Sequence, residues 1–282
     1  MNKLTAKIFT VAVLALFLHA AQAFNLGQEL RNAAKELQKP GGSANLGGYS
    51  EEEEVAIGRQ IAGNLLGAAP LVQDKKLQKY VNNVGRWVAI QSERPDLAWH
   101  FGVIETDDIN AFAAPGGYIF VTRGLYNKLG NEAELAGVLA HEIGHVIRKH
   151  HLKILQQGKL LDAGSRLLGK QVGDDRISGL IGSGAEIVSR SLDKGAEFEA
   201  DRIGVVLAAR AGYDAYGLPG VLQEIGHSAA DDSSVALLFK THPHPDERLS
   251  KLGDAMESRF DGLEGQTAAQ RLYKIRQQPG RN

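Results

Sequence analysis

Two histidines, His141 and His145, stand four residues apart with Glu142 between them. On an α-helix, positions i and i+4 lie on one face about one turn apart, so the two imidazoles would meet at one point. Neutral imidazole is a good zinc ligand, and a carboxylate beside such a pair can take a proton from water that the metal acidifies. The run His141-Glu142-Ile143-Gly144-His145 therefore predicts a metal-dependent hydrolytic centre, with His141 and His145 as ligands and Glu142 as general base. The competing reading is a chance match on a solvated helix. Leu139, Ala140, Ile143 and Val146 make the helix apolar around the motif and speak against it.

A catalytic zinc site needs a third protein ligand, with water in the fourth place. His151 lies ten residues after His141, the spacing used by proteases whose chain turns back at a glycine. Arg148 occupies that glycine position, so His150 and His151 are expected to end the helix as polar residues near its negative pole. A later helix offers a better candidate. In Glu197-Phe198-Glu199-Ala200-Asp201, Glu197 and Asp201 share a face, whereas Glu199 falls about 200° round from Glu197. This predicts Glu197 as third ligand and Asp201 as the acceptor of a ring N–H from a metal-binding histidine, His141, fixing its tautomer.

The elements that must position these groups are legible in outline. Ser50 with Glu53 forms a capping box that starts a helix, and the acids Glu51 to Glu54 fit the positive end of its dipole. Asp74 to Gln91 has Leu77, Tyr80, Val81, Val84 and Val88 at helical spacing, with Pro95 as its stop. Trp99 to Ile104, Ala111 to Ala113 and Tyr118 to Thr122 read as short strands separated by turns at 107–110 and 115–117. Asn131 can cap a helix carrying the motif on to His151, and a second long helix runs from Lys194 to Ala211, closed by Gly212. Shorter helices follow near 217–226, 233–240 and 245–258. The fold class expected is α+β, predominantly helical, with one small sheet beside the motif helix.

Four stretches together resemble the M48 (Ste24-like) zinc metallopeptidases, in their soluble, exported bacterial branch. They are Asn110 to Val121, His141 to His145, Glu197 to Arg202, and Thr241-His242-Pro243-His244-Pro245 followed by Glu247-Arg248-Leu249. The resemblance implies a zincin-like (gluzincin) peptidase domain over about 50–260, with one Zn2+ per subunit on His141, His145 and Glu197. It also implies an extended polypeptide substrate bound near Asn110, Ala111, Gly117, Tyr118 and Phe120, the strand from Tyr118 offering a free edge for backbone pairing. His242 and Arg248 are the candidates for the electrophile that meets the developing oxyanion. His242 can alternatively fill the fourth metal position and close the resting site, and Arg248 can instead pair with Glu197 or Asp201.

Composition bounds the remainder. The 282 residues contain no cysteine, so a thiolate metal site is excluded. The net charge of −1 gives no general attraction to nucleic acid. Residues 1–23 read as a signal peptide, with Lys3 and Lys7 before the apolar run Ile8 to Leu18 and a small-residue cleavage site at Ala21-Gln22-Ala23. That run is far short of the about 20 residues that span a bilayer, and no later segment reaches it. An N-terminal helix and Gly-rich linker (24–49) and a C-terminal helical tail (261–282) flank the domain. The glycine-bearing stretch 158–184 is a candidate movable cover over the cleft. The expected function is endoproteolysis of misfolded or mis-assembled envelope proteins in the periplasm, with peripheral association with envelope proteins. The rival is a chaperone-like protein that holds unfolded clients and uses zinc for structure.

Overall fold

A computed structural model describes residues 48–157, 192–227 and 233–277. The leader, the linker and the 158–184 stretch lie outside the described residues. All the elements below belong to the unit Ser50–Asn282.

Helix α1 (Glu51–Ala68) starts at the expected capping box: Glu53 N–H donates to Ser50 Oγ, and Ser50 N–H donates to the Glu53 carboxylate. Helix α2 (Lys75–Ala89) starts at Asp74, whose side chain accepts from the backbone N–H groups of Lys76 and Leu77. It buries Leu77, Val81, Val84 and Val88. The helix stops at Ala89, well before Pro95, because the chain turns at Ile90 into the loop that carries buried Trp99.

Strands β1 (His100–Ile104), β2 (Ala111–Ala114) and β3 (Tyr118–Thr122) form one sheet in the order β1-β3-β2. β3 is parallel to β1 and antiparallel to β2. The strands are buried on both faces, and their alternation divides two cores. Phe101, Val103, Ile119 and Val121 join the main core with α2, while Phe112, Ala114 and Phe120 join Ile61, Ala62 and Leu65 of α1. The turn into β3 runs through Gly116 (φ 73°) and Gly117 (φ 93°), backbone conformations that a side chain would strain.

The order of the strands corrects one expectation. β3 has a partner on each side, so it is no free edge; among the described residues β2 is the outer strand on its side of the sheet. Thr122 N–H donates to Asn110 O, which sets the alternation of the β2–β3 ladder. The backbone groups of Ala111 and Ala113 therefore point away from β3.

After a short helix α3 (Arg123–Lys128), α4 (Glu132–Ile147) carries the motif, with Asn131 as N-cap accepting from Glu134 N–H. Its first residue, Glu132, is buried and accepts from Tyr80 of α2, from Tyr213 and from Arg271. The helix does not run on to His151 as expected. It ends at Ile147, Lys149 takes φ 55°, and a new helix α5 begins at residue 150 and is described to residue 157. Lys149 Nζ pairs with Glu54 Oε2 at 3.0 Å, an ion pair that favours this left-handed turn at a non-glycine residue.

Helix α6 (Lys194–Arg210) packs across α4 at small residues. A methyl group on Gly144 would lie 3.2 Å from Ala200 Cα, and one on Gly204 would lie 3.0 Å from His141 N. Helices α7 (Gly217–Gly226), α8 (Ala236–Thr241), α9 (Pro245–Met256) and α10 (Ala269–Gln277) complete the described elements. Buried Leu272 of α10 belongs to the main core, so the packed unit extends past the boundary expected at 260. Among the described residues no helix is long and apolar enough to cross a membrane. The architecture is the predominantly helical α+β arrangement expected, with one small sheet beside the motif helix.

The acidic run at the start of α1 is more than dipole decoration. Glu54 is fully buried and joins Arg94 Nη1 (2.8 Å), Lys149 Nζ (3.0 Å) and the backbone N–H of Gly116 (3.1 Å). Burial alone would raise its pKa, but these partners outweigh that and hold it below its ordinary 4.5. A depressed carboxylate contributes stability above its unfolded pKa and loses it as pH falls through the folded one. Glu54→Gln is therefore expected to cost about 3–5 kcal/mol at pH 7. The gap from wild type should narrow as pH falls below 4.5. Urea melts at pH 7 and pH 3.5 read both effects, and an equal gap at the two pH values would count against the account.

Candidate metal centre

His141 and His145 are almost fully buried on α4, with their Nε2 atoms 3.0 Å apart. The glycine and alanine contacts between α4 and α6 let the short acids of α6 reach them. Glu197 is fully buried, with Oε2 3.6 Å from His141 Nε2 and Oε1 3.5 Å from His145 Nε2. Asp201 Oδ1 lies 2.9 Å from His141 Nδ1. Both positions agree with the helix geometry read from the sequence.

His242 enters from the loop after α8, where its backbone N–H donates to Leu238 O. Its Nδ1 lies 2.7 Å from Glu197 Oε2, so it belongs to the same cluster. One ligand atom from each of His141, His145, Glu197 and His242 falls within 4.8 Å of all the others. Arg248 is placed elsewhere. Its Nε and Nη2 donate to the two oxygens of Asp201 at 3.0 and 2.6 Å, a bidentate pair behind His141. This is the carboxylate pairing that the sequence offered as the alternative to an oxyanion donor.

The electrostatics follow from burial and charge. Burial would raise the pKa of Glu197, but His242, His145 and His141 outweigh it and keep the carboxylate well below its usual range. Burial works against Asp201 in the same way, and Arg248 and His141 hold it ionised. Burial pushes His145 well below the usual histidine range, so its ring is neutral. For His242 burial is overcome by Glu197, which raises its proton affinity. Burial pushes Glu142 upward, with Glu197 adding to the shift and His141, His242 and Arg248 opposing it.

These donors fit a metal ion. A carboxylate oxygen only accepts, so the Asp201 contact places the proton of His141 on Nδ1 and leaves a lone pair on Nε2 in the neutral ring. That lone pair faces His145 Nε2 and the Glu197 carboxylate. Among the described residues, buried Glu197 Oε1 has no hydrogen-bond partner. Converging lone pairs and an unpartnered buried carboxylate oxygen are costly unless a cation satisfies them. Neutral imidazole with carboxylate suits a divalent transition ion.

Glu142 lines a narrow cavity with Ala111, Phe112, Ala113, His145, His151, Leu192, Thr241 and His242. Of the predicted substrate residues, Ala111 lies in this lining and Asn110 immediately precedes it, its Oδ1 accepting from Ala111 N–H. Gly117, Tyr118 and Phe120 do not. Tyr118 stacks on His100, Phe120 packs toward α1, and Gly117 lies against Ala98.

Two histidines expected only to end the motif helix lie at the centre. His150 Nδ1 lies 2.9 Å from His145 Nδ1, and buried His151 lines the cavity. The turn at Lys149 carries both back toward the centre. The signal lay in the adjacent histidines themselves. The turn that makes them useful had none, because lysine carries no preference for the left-handed region.

The family model described as Peptidase family M48 matches residues 75–256. The chain is 34% identical over 210 residues to the beta-barrel assembly-enhancing protease of Yersinia pestis, covering 71% of this chain and 43% of that protein. It is 30% identical over 208 residues to the protein of the same name from Escherichia coli (strain K12), covering 70% and 42%. Over 185 residues it is 28% identical to the mitochondrial metalloendopeptidase OMA1 of Arabidopsis thaliana, covering 66% and 37%. The chain thus spans less than half the length of these relatives.

A metal held by the folded state alone stabilises it by about 4 kcal/mol at a thousandfold excess over Kd. Chelator treatment should lower Tm by roughly 10 °C, and added zinc should restore it. In His141→Ala the chelator and zinc should move Tm little. Differential scanning fluorimetry reads this directly.

Proposed function

The chain belongs to peptidase family M48, and from that membership we propose that it is a zinc-dependent endopeptidase acting on extended polypeptide. The observation that carries the reading is the buried cluster of His141, His145, Glu197 and His242 with Glu142 beside it. His141, His145 and Glu197 hold the ion, and Asp201, clamped by Arg248, orients His141. When bound, zinc supplies a Lewis acid that acidifies water and polarises a peptide carbonyl.

Glu142 takes the proton from the attacking water and passes it to the leaving amine. Its upward-shifted pKa supports the first transfer, because a carboxylate of greater proton affinity is the better base. His242 closes the resting site as a fourth ligand; its place within the donor cluster supports this over a role as oxyanion donor. Substrate pairs with the outward carbonyl of Ala111 and the outward N–H and carbonyl of Ala113 on β2, beside Glu142. Recognition through backbone reads side chains weakly, so cleavage is broadly specific.

The leader read at 1–23 points to export and to the periplasm. Together with the names of the bacterial relatives, it favours misfolded or mis-assembled envelope proteins as substrates.

Two variants test the mechanism. Glu142→Gln should keep its zinc and lose about 10²–10⁴-fold in turnover of an unfolded protein. If that variant fully replaces wild type in cells, holding clients rather than cutting them is the main role. His242→Ala should raise turnover of the same substrate. Unchanged turnover would remove His242 from the mechanism.

A further inference from the structure

Helix α6 presents three acids at two-residue spacing, and two already have partners at the metal centre: Glu197 in the donor cluster and Asp201 on His141. The third, Glu199, faces elsewhere and cannot reach the second histidine directly. Between them stands His150. Its Nδ1 lies 2.9 Å from His145 Nδ1, and its Nε2 lies 3.2 Å from Glu199 Oε2. Glu199 Oε1 is in turn 3.1 Å from Arg148 Nε. His150 is 4% exposed, so its ring has no ready exchange of these partners for water.

With His150 neutral, the protons along this row can be arranged in one way. A carboxylate oxygen accepts, so His150 Nε2 carries the hydrogen. The neutral His150 ring then has a lone pair on Nδ1. His145 must donate its Nδ1–H to that lone pair, which leaves the His145 Nε2 lone pair facing His141 and Glu197. We propose that His150 and Glu199 are positioning residues that hold His145 in its metal-binding tautomer and orientation, as Asp201 does for His141. The two supports are parallel: Asp201 is steadied by Arg248, and Glu199 by Arg148. They differ in reach, because Glu199 acts through an intervening imidazole that the Lys149 turn brings back under His145.

This inference rests on the metal reading of the site, and the test separates the two. Zinc affinity of the full chain is measured by competition with a chromophoric chelator, alongside Tm of the metal-free protein. His150→Phe keeps ring volume and removes the acceptor; it should bind zinc 10–100-fold more weakly, with Tm of the metal-free protein nearly unchanged. His150→Asn places an amide oxygen near the position of Nδ1 and should recover affinity to within a few-fold of wild type. Glu199→Ala, at a side chain more than one-third exposed, should lose about tenfold and serves as the test if His150→Phe does not fold. Wild-type zinc affinity in His150→Phe or Glu199→Ala overturns the proposal. So does an equal loss in His150→Phe and His150→Asn with a matching fall in metal-free Tm, because that marks a packing role. A wild-type chain that holds no zinc overturns the metal reading itself.

Discussion

The close crossing of α4 and α6 is the constraint on which the centre depends. Side chains of Glu and Asp are short, and a carboxylate can meet a histidine on a neighbouring helix only if the backbones approach closely. Gly144 against Ala200, and Gly204 against the His141 backbone, provide that approach. Everything at the centre follows from it: Glu197 faces both imidazoles, Asp201 meets the outer nitrogen of His141, and Glu199 is left to the flank. Larger residues at either crossing point would separate the two sets of ligands before altering any of them.

Burial is the second condition. The donors are withdrawn from water, so their protonation is set by one another: Glu197 stays ionised because histidines surround it, and His145 stays neutral because its surroundings disfavour charge. A site of this kind has little tolerance for a missing partner. The same logic places Arg248 on Asp201, since a buried guanidinium and a buried carboxylate each need the other.

Much of this was legible in the residues. Capping at Ser50, Asp74 and Asn131 is local chemistry, and all three helices begin there. Helical spacing put His141 with His145, and Glu197 with Asp201, on shared helix faces, because i and i+4 geometry needs no tertiary information, and the structure brings the four side chains together. The order of the strands was not legible. Tyr118 to Thr122 looks the same at an edge or in the middle, and only long-range pairing with β1 and β2 decides. The break at Lys149 was hidden for a similar reason. Its partner Glu54 lies far away in sequence, so Arg148 in place of glycine looked like a barrier to a turn that a distant ion pair favours. Arg248 could be read two ways from sequence, because its carboxylate partner, Asp201, lies on another helix.

Glu54 also bears on where this domain can be divided. The family match begins at residue 75 and ends at 256, yet the carboxylate that fastens Lys149, Arg94 and the Gly116 turn lies upstream of it. Leu272, fully buried in the main core, lies downstream. A chain trimmed to the matched segment would keep every proposed metal ligand and lose a tie on the turn that returns His150 and His151 to them. The packing that supports the centre is therefore wider than the piece that defines the family, reaching upstream to one acid in α1 and downstream to one leucine in α10.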